Sequence, residues 1–238
     1  MTGSDDAGAP RPPARPAPGS SASDRAALRL TGVWALVTAV LLVVPAGPLG
    51  VRITAAVVLW HIAVVVHVVV RRDAAWRSAY ALVAPMSLLL VLPDHFLAVG
   101  LGTIRFPDTG AAFVGAVPVF MAGMWAVPLA AVVLAGRAAE RRAGAAWGVA
   151  AGTALGLAIF LASEATSGVL PLWEPVGVPM WGPVAPYVVP AEAILSATAV
   201  LADQWSRGRS LVSVVLAGAF VVQAYVGGLA VGWLALGR

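Results

Sequence analysis

Apolar runs of about 18 residues or more recur along this chain from residue 28 to its carboxyl end. That is the length a helix needs to cross a hydrocarbon core of about 30 Å. Only 11% of the residues are charged and 60% are hydrophobic, whereas soluble domains carry about a quarter charged residues. The mean hydropathy of +0.90 agrees. The predicted fold class is therefore all-α, a polytopic membrane protein with seven transmembrane helices. The spans fall at residues 28–46, 52–70, 76–93, 113–135, 145–163, 183–202 and 211–235. Residues 28–238 form one transmembrane domain, with no room for a second, soluble one. Residues 1–27, rich in Pro, Ala, Ser, Asp and Arg, cannot bury enough apolar surface to offset their ordering entropy and read as a disordered cytoplasmic tail. They are too polar and too broken by proline to be the core of a signal peptide.

Charge placement gives the orientation. All fifteen basic residues are Arg, a bias that fits a GC-rich, bacterial genome. With the amino terminus inside, twelve of them (Arg11, Arg15, Arg25, Arg29, Arg71, Arg72, Arg77, Arg137, Arg141, Arg142, Arg207 and Arg209) fall on the inner side. Arg52, Arg105 and Arg238 fall outside. The positive-inside rule then predicts N-in, C-out and a multi-pass protein of the cell membrane. The net charge of +4 is explained by topology, so no nucleic-acid partner is expected. Cysteine is absent, which excludes disulfides, thiolate metal sites and a cysteine nucleophile.

Within this apolar frame, the window from Leu92 to Glu192 concentrates the chemistry. Its segments LPDHF, FPDTG, SEATSGVLPLWEP and YVVPAE hold five carboxylates, Asp94, Asp108, Glu164, Glu174 and Glu192. Glu192 sits near the middle of the predicted sixth span. An ionised carboxylate at mid-bilayer costs about 2.5–3.5 kcal/mol or more, and taking up a proton relieves that cost. A neutral carboxylic acid in an apolar chamber is a candidate proton donor, weighed against a structural acid hydrogen-bonded to a neighbouring helix. Pro190, two residues earlier, is expected to kink the helix beside it. Asp94 and Glu164 end the third and fifth spans, as caps or as further members of one site. Arg105 and Asp108 are placed to form a local ion pair. His61 and Gln223 lie at a depth comparable to Glu192 and could meet it. His67, six residues from His61, is on another face and more simply bonds between helices.

The aromatic residues of the same window are the other half of the candidate site: Phe106, Phe120, Trp125, Trp173, Trp181 and Tyr187. Interfacial belts collect Trp and Tyr in any case, but Trp125 lies well inside its span. Aromatic faces stabilise cations by about 2 kcal/mol or more once water is excluded. The loops after the third and fifth spans look alike, each running from an acid through an aromatic–acid cluster to Gly and Pro. Shared ancestry and chance both account for this. No phosphate-binding Gly loop, Asp-rich diphosphate motif, HExxH or GxSxG occurs.

Seven spans, a buried acid, an aromatic interior and no diphosphate motif together resemble the small integral-membrane terpene cyclases of meroterpenoid and prenylated-indole pathways. The resemblance extends over residues 28–238 in architecture. It implies protonation of a terminal alkene or epoxide on a prenylated, farnesyl-type substrate, a cation cascade and final proton loss, with no metal and no cofactor. It makes Glu192 or Asp94 the acid and Glu164 the partner or final base. Fungal members rely on an acid late in the chain, where this sequence has Gln223. A proton-coupled carrier of a small lipophilic molecule, a carotenoid-type cyclase or hydratase and a non-catalytic scaffold are the alternatives. The expected partners are a lipophilic small molecule and the bilayer itself.

Overall fold

The computed structural model describes residues 20–43 and 47–237. Residues 1–19, most of the expected tail, lie outside the described residues. Helix α1 (Ser20–Val43) starts eight residues before the predicted first span. It is followed by α2 (Leu49–Arg71), α3 (Ala74–Leu89) and α4 (Val91–His95), which runs on into a π-helical turn at Phe96–Leu101. Short strands β1 (Ile104–Arg105), β2 (Phe113–Val114) and β3 (Val117–Pro118) lead to α5 (Met121–Met124), α6 (Ala126–Ala143) and α7 (Ala145–Thr166). Strand β4 (Glu174–Pro175), α8 (Val188–Ser206) and α9 (Leu211–Leu236) complete the chain. Five stretches are long and apolar enough to cross a membrane: Leu49–Arg71, Ala74–Leu101, Met121–Ala143, Ala145–Thr166 and Leu211–Leu236. The apolar part of α1, Arg29–Val43, is shorter, and α8, which carries Glu192 and Asp203, is not among the five.

Local chemistry fixes the ends. Asp73 caps α3, its carboxylate accepting from Ala75 N at 3.0 Å and Trp76 N at 3.1 Å, which satisfies donors that have no partner in the first turn. Arg52, at the start of α2, donates from Nη1 to the carbonyls of Leu41 and Leu42 and so satisfies the last turn of α1. The fourth span begins later than the expected residue 113. Gly115 adopts φ +61, a left-handed conformation that favours glycine, and turns 113–118 into a β2–β3 hairpin.

The sixth helix also begins late, at Val188 rather than 183. Gly182 at φ +61 and prolines 183 and 186 hold the preceding chain out of the helical region. Two expectations change as a result. Pro190 occupies the first turn, where no intrahelical bond is lost, so it starts the helix instead of kinking it. Glu192 lies near the amino-terminal end of α8, not at its centre.

The core joins α3, α6, α8 and α9 through fully buried Leu82, Met86, Leu129, Leu195 and Leu229. Helices α6, α7 and α8 approach more closely, through Gly136, Gly148, Gly152 and Gly156. A Cβ on Gly152 would lie 2.5 Å from Val200 Cγ2, and one on Gly156 would overlap Ser196 Oγ. Small residues are how membrane helices gain close van der Waals contact. Gly156→Ala is therefore expected to destabilise the protein by about 1–3 kcal/mol, the usual cost of overpacking. Thermal unfolding in detergent reads this, and adding Ser196→Ala should restore part of the loss. An unchanged midpoint in Gly156→Ala would show that the interface has slack.

The connections α2–α3, α6–α7 and α8–α9 gather at one end. There Arg137 donates from Nε to Asp203 Oδ2 at 2.9 Å and from Nη1 to the carbonyl of Ala75 at 2.6 Å, and Arg207 pairs with Glu140. Both Arg137 and Asp203 are buried. Asp94, Asp108, Glu164, Glu174 and Glu192 lie toward the opposite end.

Candidate functional site

Below the loops of that opposite end lies a chamber of about 360 Å³, within the ~300–1,000 Å³ range of small-molecule sites. Three carboxyl-bearing residues enter it from three elements: Asp94 from α4, Glu164 from the last turns of α7, and Glu192 from α8. All three are buried.

Asp94 follows Pro93 and stands two residues before the π-helical turn at Phe96–Leu101, an irregularity common at functional sites. Its Oδ2 accepts from the indole N–H of Trp125 at 2.9 Å. Trp125 is placed by a break between α5 and α6. The buried Ser87 hydroxyl of α3 stands between the two groups an unbroken helix would join, accepting from Ala126 N at 3.1 Å and donating to the carbonyl of Ala122 at 2.9 Å. Insertion of a side chain into the i→i−4 ladder is a recognised cause of such breaks. Glu164 repeats the pattern, its Oε1 accepting from the indole of Trp173 at 3.1 Å.

Glu192 has no such partner. It is 5% exposed and its Oε2 is buried without any hydrogen bond. It lies close enough to Glu164 for the two to interact electrostatically. Buried polar atoms are nearly always satisfied, which makes this carboxyl oxygen a candidate contact for a molecule bound in the chamber.

Aromatic residues wall the space. The Trp125 ring lies 5.6 Å from Phe160 and 5.9 Å from Tyr225, edge-on to the latter. Tyr187 donates its hydroxyl to Thr103 Oγ1 at 2.9 Å, and Trp34 and Trp173 complete the set. The roof is a two-residue antiparallel ladder pairing Ile104 with Pro175 and Arg105 with Glu174. Arg105 donates to Glu174 from Nε at 3.1 Å and also from Nη2. That hydrogen bond, with the charge beside it, raises the Arg105 guanidinium pKa above its ordinary value. The expected Arg105–Asp108 pair does not form, because Asp108 accepts instead from Gly110 N at 2.9 Å in a local turn. The two loops that look alike in sequence are thus hydrogen-bonded to each other.

Of the residues singled out from sequence, Asp94, Glu164, Glu192, Trp125, Trp173 and Tyr187 line the chamber. Phe106 and Phe120 do not. They are buried in a smaller cluster with Ile53, Val117 and Leu172. Trp181 is 69% exposed on the 167–187 loop. His61 is engaged elsewhere, between the Tyr80 hydroxyl at 2.7 Å and the Gly123 carbonyl at 3.1 Å. Gln223 is exposed on the outer face of α9. Two residues on, about 200° around the helix, Tyr225 faces inward and lines the chamber with Asp94, Glu164 and Glu192. Depth was legible for α9 and the facing side was not. Gly218, Gly228 and Gly232 mark its packed face, and they are the signal that would have selected Tyr225 over Gln223. Among the described residues no group of three or more His, Asp and Glu side chains is placed to hold a metal ion.

A family model described as Domain of unknown function (DUF6989) matches residues 91–236, more than half of the chain, from α4 to the end of α9. All three chamber carboxyls lie inside the matched segment, and α1 lies outside it. No curated protein and no solved structure matches the chain.

Proposed function

The chain belongs to the family of the Domain of unknown function (DUF6989), and from that premise we propose that it is an integral-membrane terpene cyclase acting on a prenylated, farnesyl-type lipid. The observation that carries this reading is Glu192: a buried carboxyl whose Oε2 meets no hydrogen-bond partner inside a chamber walled by Trp125, Phe160, Tyr187 and Tyr225. A carboxylic acid there can hand its proton to a terminal alkene or epoxide, leaving a carbocation at the substrate. Aromatic faces are the groups that stabilise such charge without capturing it. Ring closure consumes the double bonds, and loss of a proton from carbon ends the cascade. Asp94 and Glu164, each oriented by an indole N–H, are suited to receive it. An alkene substrate and its product then have the same mass, and no redox partner is needed.

The same reading has α1, α2, the α3–α4 run, α5–α6, α7, α8 and α9 as seven spans. An odd number puts the termini on opposite sides, and the end that gathers Arg71, Arg77, Arg141, Arg207 and Arg209 takes the cytoplasmic side. The chamber then opens its chemistry in the outer half of the cell membrane.

The test is conversion on membranes containing the protein, with farnesylated and epoxyfarnesylated aromatic acceptors, wild type against Asp94→Asn and Glu192→Gln. A product of unchanged mass and shifted retention, absent in an acid variant that still folds, is the expected result. No isomerisation across the panel would sink the cyclase reading and favour a proton-coupled carrier, which uptake into proteoliposomes would then detect.

A further inference from the structure

Packed elements stand at the two ends of the chamber along the helix axes. Above, the β1–β4 ladder brings Ile104, Trp173 and Pro175 over it, with Val176 N donating to the Thr103 carbonyl at 2.8 Å as a further tie. Below, α6, α7 and α8 meet through glycines with no space for even a Cβ at Gly152 or Gly156. The side wall is different. Thr31 and Trp34 of α1 line the chamber opposite Ala131 of α6 and Ile159 of α7. Yet α1 packs chiefly on α2 and only lightly on α6. Thr31 is both a lining residue and exposed on the outside of the molecule, so the wall is open beside it. Trp34 stands at this opening, and its indole N–H is tied to the Ala56 carbonyl of α2 at 3.2 Å. The ring is thereby fixed at the mouth.

We propose that the chamber takes its ligand sideways from the bilayer through the gap between α1 and α7, and that Trp34 at this mouth sets the length of hydrocarbon chain it accepts. The opening lies in the middle turns of α1, α6 and α7, the part of a spanning helix that faces hydrocarbon. Apart from Thr31, and Ser163 one turn along α7, the residues on this side, Trp34, Ala131 and Ile159, present apolar surface. A water-soluble ligand gains nothing by passing there, whereas an isoprenoid-tailed lipid already dissolved in the membrane meets apolar surface throughout. Such a ligand enters with its reactive end toward Glu192 and leaves the remainder of its tail against Trp34. Removing that ring lengthens the usable space along the direction in which the tail exits.

This rests on the chamber being the site of a lipophilic substrate, so the experiment reads binding and not turnover. The full chain in proteoliposomes would be irradiated with diazirine analogues of farnesol and geranylgeraniol, and adducts mapped by mass spectrometry. In the wild type, adducts are expected at Trp34 and Ile159, displaced by unlabelled farnesol. Trp34→Ala should raise capture of the geranylgeraniol probe relative to the farnesol probe about tenfold, Trp34→Phe should leave the ratio near that of the wild type, and Ala131→Trp should cut capture of both at least tenfold by filling the mouth. Adducts confined to the 104–118 and 170–184 loops, an absence of capture, or capture indifferent to both Trp34→Ala and Ala131→Trp would overturn the inference. Capture as expected without any conversion would overturn the cyclase reading alone.

Discussion

Glu192→Gln is expected to remove turnover, by at least about 10²- to 10⁴-fold, the usual contribution of a positioned general acid. The substitution keeps the shape of the side chain and removes only the acidic proton. No hydrogen bond is lost at Oε2, because none is made there. The fold should therefore be untouched, with a melting temperature no lower than that of wild type, since an amide is less costly to bury than a carboxyl that can ionise. Asp94→Asn provides the comparison. Its amide oxygen can still accept from the Trp125 indole, so Trp125 stays in place. If Glu192 is the donor, Asp94→Asn retains more activity than Glu192→Gln at equal expression. Full activity in Glu192→Gln would remove this residue from the mechanism whatever the other variant does.

The largest stability effect is expected at the opposite end of the molecule. Arg137→Ala should cost about 3–5 kcal/mol, the typical result of removing one partner from a buried ion pair. Asp203 would be left 2% exposed with its two bonds from Arg137 gone, and the Ala75 carbonyl would lose its donor as well. Asp203→Ala strands the guanidinium and should cost a similar amount. The double variant should cost much less than the sum, because its partners fail together. Replacing the pair by Met and Leu should recover most of the stability, since packed apolar groups replace buried ion pairs without penalty. Unfolding midpoints of these four variants in one detergent decide the matter. Additive losses would mean that the two side chains act independently.

Much of this architecture was legible in the sequence because hydropathy reports burial in lipid directly. The apolar runs located the helices, and the arginines marked the end where Arg137, Arg141 and Arg207 now gather. Helix starts were less legible wherever proline and glycine set them: residues 183–187 adjoin the apolar run of α8 without a charge between them, and backbone geometry keeps them out of the helix. The three carboxyls of the chamber could be named because an acid is conspicuous against Ala, Val and Leu. Their partners could not, since Trp125 and Trp173 owe their roles to long-range packing. The Arg137–Asp203 pair was missed for the opposite reason. Its members looked like ordinary charges at a membrane edge, and nothing in the local sequence says that three helices close over them.

The roof has a consequence for how the protein is made. Arg105 and Glu174 are 69 positions apart in the chain, and the polypeptide between them includes all of α6 and α7. Contacts of such separation form late. During synthesis, Asp94 and Trp125 are in the membrane before the strand that covers them exists. The nascent protein therefore passes through a stage in which its acid-lined cleft has no roof. Only when β4 has found β1 does that cleft gain its roof. The roof is acquired late in biogenesis, and a chain arrested after α7 would carry Asp94 and Glu164 without the roof or Glu192.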